Sequence, residues 1–110
     1  MPVATPQQYH AMLNAARKGG YALPAINVST VSAINGALKG LAAAGSDGIL
    51  QILPCAAEFA SGDSEQMAEG AIVLAEAAHR LARQHPVLVA LHTDHCLPED
   101  LDRFLHPLIL

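Results

Sequence analysis

The spacing of apolar residues alternates along the chain between the three-to-four-residue period of a helix and the short continuous runs of a buried strand. Thr5, followed by Pro6 and by Gln8, predicts a capped first helix that ends at Gly19 and Gly20. Three apolar runs, residues 21–27, 49–53 and 87–91, predict strands. The predicted apolar face of the first helix comprises Tyr9, Met12, Leu13 and Ala16.

Helical periodicity returns after each strand. Residues 30–44 form one predicted helix, with Ser29 or Thr30 as its cap, and residues 65–84 form another, capped by Asp63 or Ser64. Between them, residues 55–64 are predicted to be a loop of small residues. A last helix begins near Pro98. The predicted apolar positions of these helices are Val31, Ile34, Leu38 and Leu41, then Ile72, Val73, Leu74, Ala77, Ala78 and Leu81, then Leu101, Phe104, Leu105 and Leu108.

The predicted order is a helix followed by three strand–helix units, each about 30 residues long. Alternating strands and helices of this kind are typical of an α/β fold with a parallel sheet. The 110 residues contain no linker and no low-complexity stretch. We therefore expect a single domain over residues 1–110.

The composition excludes several classes of protein. Hydrophobic residues make up 52% and charged residues 15%, which argues against disorder. Six Lys and Arg and a net charge of −4 leave no basic surface for nucleic acid or for an anionic membrane. The N-terminus lacks the features of a secretory signal, and no apolar run reaches the roughly 18 residues of a membrane span. With Cys55 and Cys96 interpreted as reduced thiols, we expect a cytoplasmic protein.

Candidate chemistry lies where the predicted strands end, because ligands of parallel α/β folds gather at the carboxyl ends of the strands. Asn27 follows the first strand and Gln51 lies in the second. His92, Asp94, His95 and Cys96 lie within the five residues after the third. A carboxylate there can transfer protons, and imidazole or thiolate can bind zinc.

This cluster has simpler interpretations. Asp94 can serve as a helix cap. A local zinc site of His92, His95 and Cys96 has no common structural spacing, and strand alternation would place the two histidines on opposite faces. Asn27 can be a turn residue that satisfies local backbone groups, and Gln51 a polar residue packed among its neighbours.

Two segments resemble class II fructose-bisphosphate aldolases: residues 21–27, which read YALPAIN, and residues 91–96, which read LHTDHC. Residues 44–48 and 57–59 also fit, and the similarity extends from about Thr5 to Leu108. The HTDHC string at the end of an apolar strand is the most specific part.

The resemblance implies a (β/α)8 barrel, of which this chain is the N-terminal part. It implies zinc-dependent, reversible cleavage of fructose 1,6-bisphosphate to dihydroxyacetone phosphate and glyceraldehyde 3-phosphate, with zinc as the Lewis acid that holds the enediolate charge. Asp94 matches the catalytic aspartate and His95 the first zinc ligand. Asn27 and Gln51 match positions near the substrate. His92 is expected to support the site through a hydrogen bond to a carbonyl or carboxylate.

The sequence departs from the family at two points. Leu53 stands where the family has a phosphate-binding serine, and Cys55 and Ala56 replace a glycine pair, so phosphate binding is expected to be impaired. A barrel needs about 250 residues, and the family's other zinc ligands lie on later strands. We therefore expect a truncated, inactive form, or alternatively a homo-oligomeric or protein-binding module that covers its open sheet edges.

Overall fold

The centre of the fold is a parallel sheet of β1 (Ala25–Asn27), β2 (Gly48–Ile52) and β3 (Val89–Thr93), in that order. The computed structural model describes residues 3–109, with the side chain of Asp63 excepted. The helices are α1 (Pro6–Gly19), α2 (Val31–Ala44), α3 (Pro54–Ala60), α4 (Met67–Ala82) and α5 (His106–Ile109). A 3₁₀ turn, Gly62–Ser64, precedes α4, and a 3₁₀ turn, Pro98–Asp100, and a π-helix, Leu101–Leu105, precede α5.

The predicted caps of the first two helices are confirmed. Thr5 and Gln8 form a capping box at the start of α1, with the Gln8 amide donating to the Thr5 hydroxyl at 3.1 Å. Thr30 caps α2 by accepting from the Ala33 amide at 3.0 Å. Gly20 and Gly45 end these helices in the left-handed conformation, which glycine adopts without a Cβ clash.

Successive side chains of a strand point to opposite faces of the sheet. In this sheet, apolar side chains occupy both faces. Leu50 and Val89 pack in the main core together with α2, α4 and the fully buried Phe104. Ile49 and Ala90 point to the opposite face, where they pack against Met12 of α1. One layer of helices and the single helix α1 therefore enclose the sheet.

The chain also covers the start of the outer edge of β3. Val3 forms a parallel bridge with Val89, and the Ala4 amide donates to the Val89 carbonyl at 2.7 Å. This contact satisfies a carbonyl that an edge strand would otherwise expose.

The prediction of a loop over residues 55–64 is wrong, because α3 begins directly after β2. Pro54 occupies the first turn, where its missing N–H costs nothing, and the alanines that follow favour a helix. Ala57 is fully buried against α4. Tertiary packing thus stabilises a helix too short to form alone.

The predicted cap of the following helix is also wrong. Ser64 lies in the 3₁₀ turn, where its hydroxyl donates to the Ser61 carbonyl at 2.9 Å, and α4 begins two residues after Glu65, with Gln66 at the N-cap. The side chain of Asp63 lies outside the described part of the structure. Strand β3 likewise begins at Val89, two residues later than predicted, and extends to Thr93.

Four residues predicted to be apolar core are at the surface instead. They are Leu13, Val31, Val73 and Leu101, whose exposed fractions are 39%, 48%, 52% and 36%. Each lies outside the buried face of its helix, because a helix packed on one layer buries only the side chains that face that layer. No helix within residues 3–109 is both long and apolar enough to cross a membrane.

Within residues 3–109, two non-glycine residues have left-handed backbone, Glu65 with φ 51° and His95 with φ 46°. This conformation brings the Cβ close to the following carbonyl oxygen and costs roughly 1–2 kcal/mol. His95 is the second residue after β3 and directly follows Asp94. The turn after β3 is therefore strained at a residue that sequence analysis assigned to chemistry.

We expect Gly70→Ala to destabilise the protein by about 3 kcal/mol. A Cβ at Gly70 would lie 1.6 Å from the Ala57 carbonyl oxygen, so α3 and α4 would have to separate. Gly36→Ala and Gly40→Ala in α2 are matched controls, since a Cβ at either site meets nothing within 4 Å. Both controls should gain about 0.5–1 kcal/mol from helix propensity. Urea denaturation measures the three changes, and equal effects at all three sites would contradict the close contact.

We also expect His95→Gly to be more stable than His95→Ala by about 1 kcal/mol, because only glycine relieves the left-handed strain. His92 in β3 is the control position. There the order should reverse, because glycine weakens a strand interior. Thermal or urea unfolding measures the stability of the four variants. If glycine is more stabilising than alanine at both positions, or at neither, the backbone of His95 is not strained.

Candidate active site at the carboxyl ends of the strands

One row of polar side chains crosses the sheet near its carboxyl edge. Asn27 of β1 pairs with Gln51 of β2, and Gln51 pairs with His92 of β3. Residues paired in a parallel sheet point to the same face, and this face is the one that α1 covers at Met12. The strand register therefore brings together three residues that lie far apart in the sequence.

The side chains of this row connect to Asp94 through hydrogen bonds. The Gln51 Nε2 donates to Asn27 Oδ1 at 3.4 Å, and the Asn27 Nδ2 donates to Asp94 Oδ2 at 3.0 Å. Because Asp94 follows β3 and Asn27 ends β1, the last bond passes over the end of β2. The two outer strands are thus joined at the rim.

Asp94 is positioned by its backbone as well as by its side chain. Its amide donates to the Ile52 carbonyl at 3.0 Å, which continues the pairing of β2 and β3 by one residue beyond Thr93. The exposed fraction of the Asp94 side chain is 20%. Asp94 is therefore a largely enclosed carboxylate, held at the strand end by the backbone and by the Asn27 amide.

His95 lies at the open side of this carboxylate. Its Nε2 is 3.6 Å from Asp94 Oδ1, and 83% of its side chain is exposed. The prediction that strand alternation places His92 and His95 on opposite faces does not apply here, because the strand ends at Thr93 and His95 has a left-handed backbone. The turn presents the imidazole to the rim beside Asp94.

His92 makes a ring contact rather than the expected polar one. Its imidazole meets the ring of Tyr9 edge-to-face, with centroids 5.3 Å apart and planes at 82°. Such a contact favours one orientation of both rings. Tyr9 of α1 thereby packs next to the row that contains Gln51.

The described residues do not form a complete metal site. No three His, Cys, Asp or Glu side chains within residues 3–109, Asp63 excepted, are grouped to hold an ion. The local site of His92, His95 and Cys96 is thus not assembled, and the Cys96 thiol instead lies 3.6 Å from the Leu97 carbonyl. A catalytic zinc needs about three protein ligands. His95 offers one exposed imidazole, which is too few ligands for a catalytic zinc.

A cavity of about 230 Å³ adjoins His95 at the junction of β2 and α3. Leu53 caps α3 without a side-chain hydrogen bond. Asp100 also lines the cavity; it is buried and accepts from Arg103 at 2.6 Å. The remaining lining residues are Pro54, Cys55, Glu58, Met67 and Leu97. Most of this surface is apolar or acidic.

The arrangement suits proton transfer at a carboxylate. Asp94 has one oxygen bound to an amide and the other facing an exposed imidazole, at the end of the sheet where α/β proteins bind ligands. Sequence analysis placed Asn27, Gln51, Asp94 and His95 at this rim. It missed the bond between Asn27 and Asp94, because no local pattern signals a contact across 67 residues.

Comparisons with known proteins agree with this reading of the fold. The sequence model of the family described as "Fructose-bisphosphate aldolase class-II" matches residues 7–106. A crystal structure of fructose-bisphosphate aldolase from Campylobacter jejuni superimposes with a TM-score of 0.86 and 31% identity, over 92% of this chain and 30% of that one. This confirms the expected α/β fold, as part of a (β/α)8 barrel.

Relatives of known sequence lead to the same family. The fructose-bisphosphate aldolase of Streptomyces galbus is 50% identical and that of Mycobacterium tuberculosis H37Rv is 49% identical, each over 99% of this chain. The chain spans about a third of their length, 32% in both cases. By sequence and by structure, the chain belongs to the class II fructose-bisphosphate aldolase family.

Proposed function

We propose that this chain forms one wall of an aldolase active site, which cleaves fructose 1,6-bisphosphate reversibly to dihydroxyacetone phosphate and glyceraldehyde 3-phosphate with zinc as cofactor. The relatives at 49–50% identity carry the name fructose-bisphosphate aldolase. The observation that carries the proposal is the Asp94 carboxylate, enclosed at the strand ends beside His95.

Asp94 is proposed as the catalytic acid/base. Cleavage of the carbon–carbon bond requires removal of a proton from the hydroxyl that becomes the aldehyde, and the reverse reaction returns that proton. A carboxylate with one oxygen towards the open rim can perform both steps. His95 is proposed as one zinc ligand, with its other partners supplied by chain beyond the described residues.

Asn27 and Gln51 are proposed to lie beside the bound substrate. Both belong to the polar row on the same face as Asp94, and Asn27 contacts Asp94 directly. Their amides offer donors and acceptors to the hydroxyl groups of a sugar.

We expect the junction of β2 and α3 to bind phosphate more weakly than the serine and glycine pair that the resemblance implies for the family. Leu53 has no donor, and Pro54 has no N–H. Glu58 adds negative charge to the adjacent cavity, and the charge of the buried Asp100 is paired with Arg103. We propose that the phosphate at this end of a sugar bisphosphate depends on cations from outside this cavity.

A second candidate function is a non-catalytic module that self-associates. The open edges of β1 and β3 favour it, since the described N-terminal contact at Val89 covers only the start of β3. Phe59 and Ile109 are apolar side chains with exposed fractions of 70% and 71%. A homo-oligomer would cover such surface.

For the cellular setting we propose the cytoplasm, without nucleic-acid or membrane partners. Both cysteines are free, which suits a reducing compartment. The net charge of −4 is unfavourable for binding polyanions.

The proposed activity is tested by joining residues 1–110 to the remaining two-thirds, about 68%, of the Streptomyces galbus relative. We expect zinc-dependent, chelator-sensitive cleavage of fructose 1,6-bisphosphate. Asp94→Ala should lower kcat by about 10²–10⁴-fold, the usual contribution of a general acid/base. Asp102→Ala is the matched control, because this carboxylate is 91% exposed and pairs only with the nearby His106 among its described contacts.

Two outcomes would count against this proposal. Equal activity of the Asp94→Ala and Asp102→Ala enzymes would remove Asp94 from catalysis. A joined enzyme that folds but does not turn over, together with a defined oligomer of the 110-residue chain in light scattering, would favour the module instead.

A further inference from the structure

We infer that Asn27 and Gln51 form an amide relay that positions Asp94 and leaves its Oδ1 as the oxygen that exchanges the proton. The inference deepens the proposed function and rests on it for its catalytic consequence. It adds a role in positioning Asp94 to the proposed place of both amides beside the substrate.

The direction of the relay follows from the chemistry of its members. An ionised carboxylate only accepts hydrogen bonds, so the Asn27 NH₂ group has to face Asp94. The Asn27 carbonyl oxygen then faces Gln51 and requires a donor, which is the Gln51 NH₂ group. Rotating either amide by 180° would bring two acceptors or two donors together. Each amide therefore holds the orientation of the next.

Gln51 is the member of the relay whose backbone is held on both sides by strand pairing. It belongs to the central strand, which pairs with β1 on one side and with β3 on the other. The backbone carbonyl oxygen of Gln51 accepts a hydrogen bond from the Val28 amide at 3.0 Å, and the Gln51 side chain is half-buried. Asn27, by contrast, is exposed at the end of β1, and hydrogen bonds to Asp94 and Gln51 orient its side chain.

The relay distinguishes the two oxygens of Asp94. Oδ2 is bound to the Asn27 amide, whereas Oδ1 has as its neighbour the exposed His95 imidazole at 3.6 Å, which is beyond a good hydrogen bond. A proton bound to Oδ2 would displace the Asn27 donor. Oδ1 can gain or lose a proton without breaking the relay, so the structure assigns proton transfer to Oδ1.

Nuclear magnetic resonance of the ¹⁵N-labelled 110-residue chain tests the relay without any turnover. We expect the Asn27 side-chain NH₂ proton that is donated to Asp94 to resonate downfield of its position in Asp94→Leu, where that acceptor is missing. Gln51→Glu should also change this resonance, because the introduced carboxylate attracts the Asn27 NH₂ group away from Asp94. Glu99→Leu is the control, since Glu99 is an exposed carboxylate in the turn after Asp94.

Kinetics of the joined enzyme described above test the catalytic consequence. Asn27→Asp, which keeps the size of the side chain but removes the donor, should lower kcat about 100-fold with KM unchanged, the effect of a misplaced catalytic group. Gln51→Glu should act in the same direction. Gln51→Lys keeps a hydrogen-bond donor towards Asn27, so its kcat should be higher than that of Gln51→Glu. All these variants should have the same thermal unfolding midpoint as the unsubstituted enzyme. A lower kcat would then reflect a misplaced Asp94 and not a loss of folding.

The outcomes separate the inference from the proposed function. A raised KM with kcat retained in Asn27→Asp would overturn the relay and make Asn27 a substrate contact. An Asn27 NH₂ signal that does not respond to Asp94→Leu or to Gln51→Glu would overturn it as well. An inactive joined enzyme that shows the expected NH₂ responses would instead contradict the proposed reaction and leave the relay intact.

Discussion

The parallel pairing of β2 with both of its neighbours is the constraint on which the rest of the molecule depends. Its register sets Asn27, Gln51 and His92 at one level, and it extends past β3 when the Asp94 amide donates to Ile52. A shift of one residue would turn every side chain of a strand to the opposite face. The apolar partners of that register, Leu50 and Val89 on one face and Ile49 and Ala90 on the other, resist such a shift.

The rim of the sheet combines rigid and strained parts. Gln51 and the backbone of Asp94 are held by strand pairing, whereas His95 has a left-handed backbone and an exposed ring. Strain of this kind persists only where neighbouring structure enforces it. Here His95 directly follows Asp94, whose amide and side chain are both hydrogen-bonded, and its imidazole lies beside that enclosed carboxylate.

The junction of β2 and α3 is set by close packing between two helices. Pro54 begins a helix at once, and Ala57 packs so closely on Gly70 that no side chain fits between them. The segment after β2 thus forms a compact pair of helices with α4. The adjoining cavity contains Leu53, Glu58 and Asp100, which supply no cation. Family membership and the details of substrate binding are thus separate questions for this chain.

Local sequence patterns determined the elements whose signals lie within a few residues. The capping box of Thr5 and Gln8 and the cap at Thr30 depend on neighbours in the chain, so they could be predicted. The three strands and the end of β1 at Asn27 could also be predicted, whereas β3 runs two residues past its predicted end. Helix α3, the start of α4 and the exposure of Val73 depend on packing between elements. The bond between Asn27 and Asp94 joins residues 67 apart, and only the folded sheet decides it, because hydrogen bonds over such separations form where backbone register brings the two groups together.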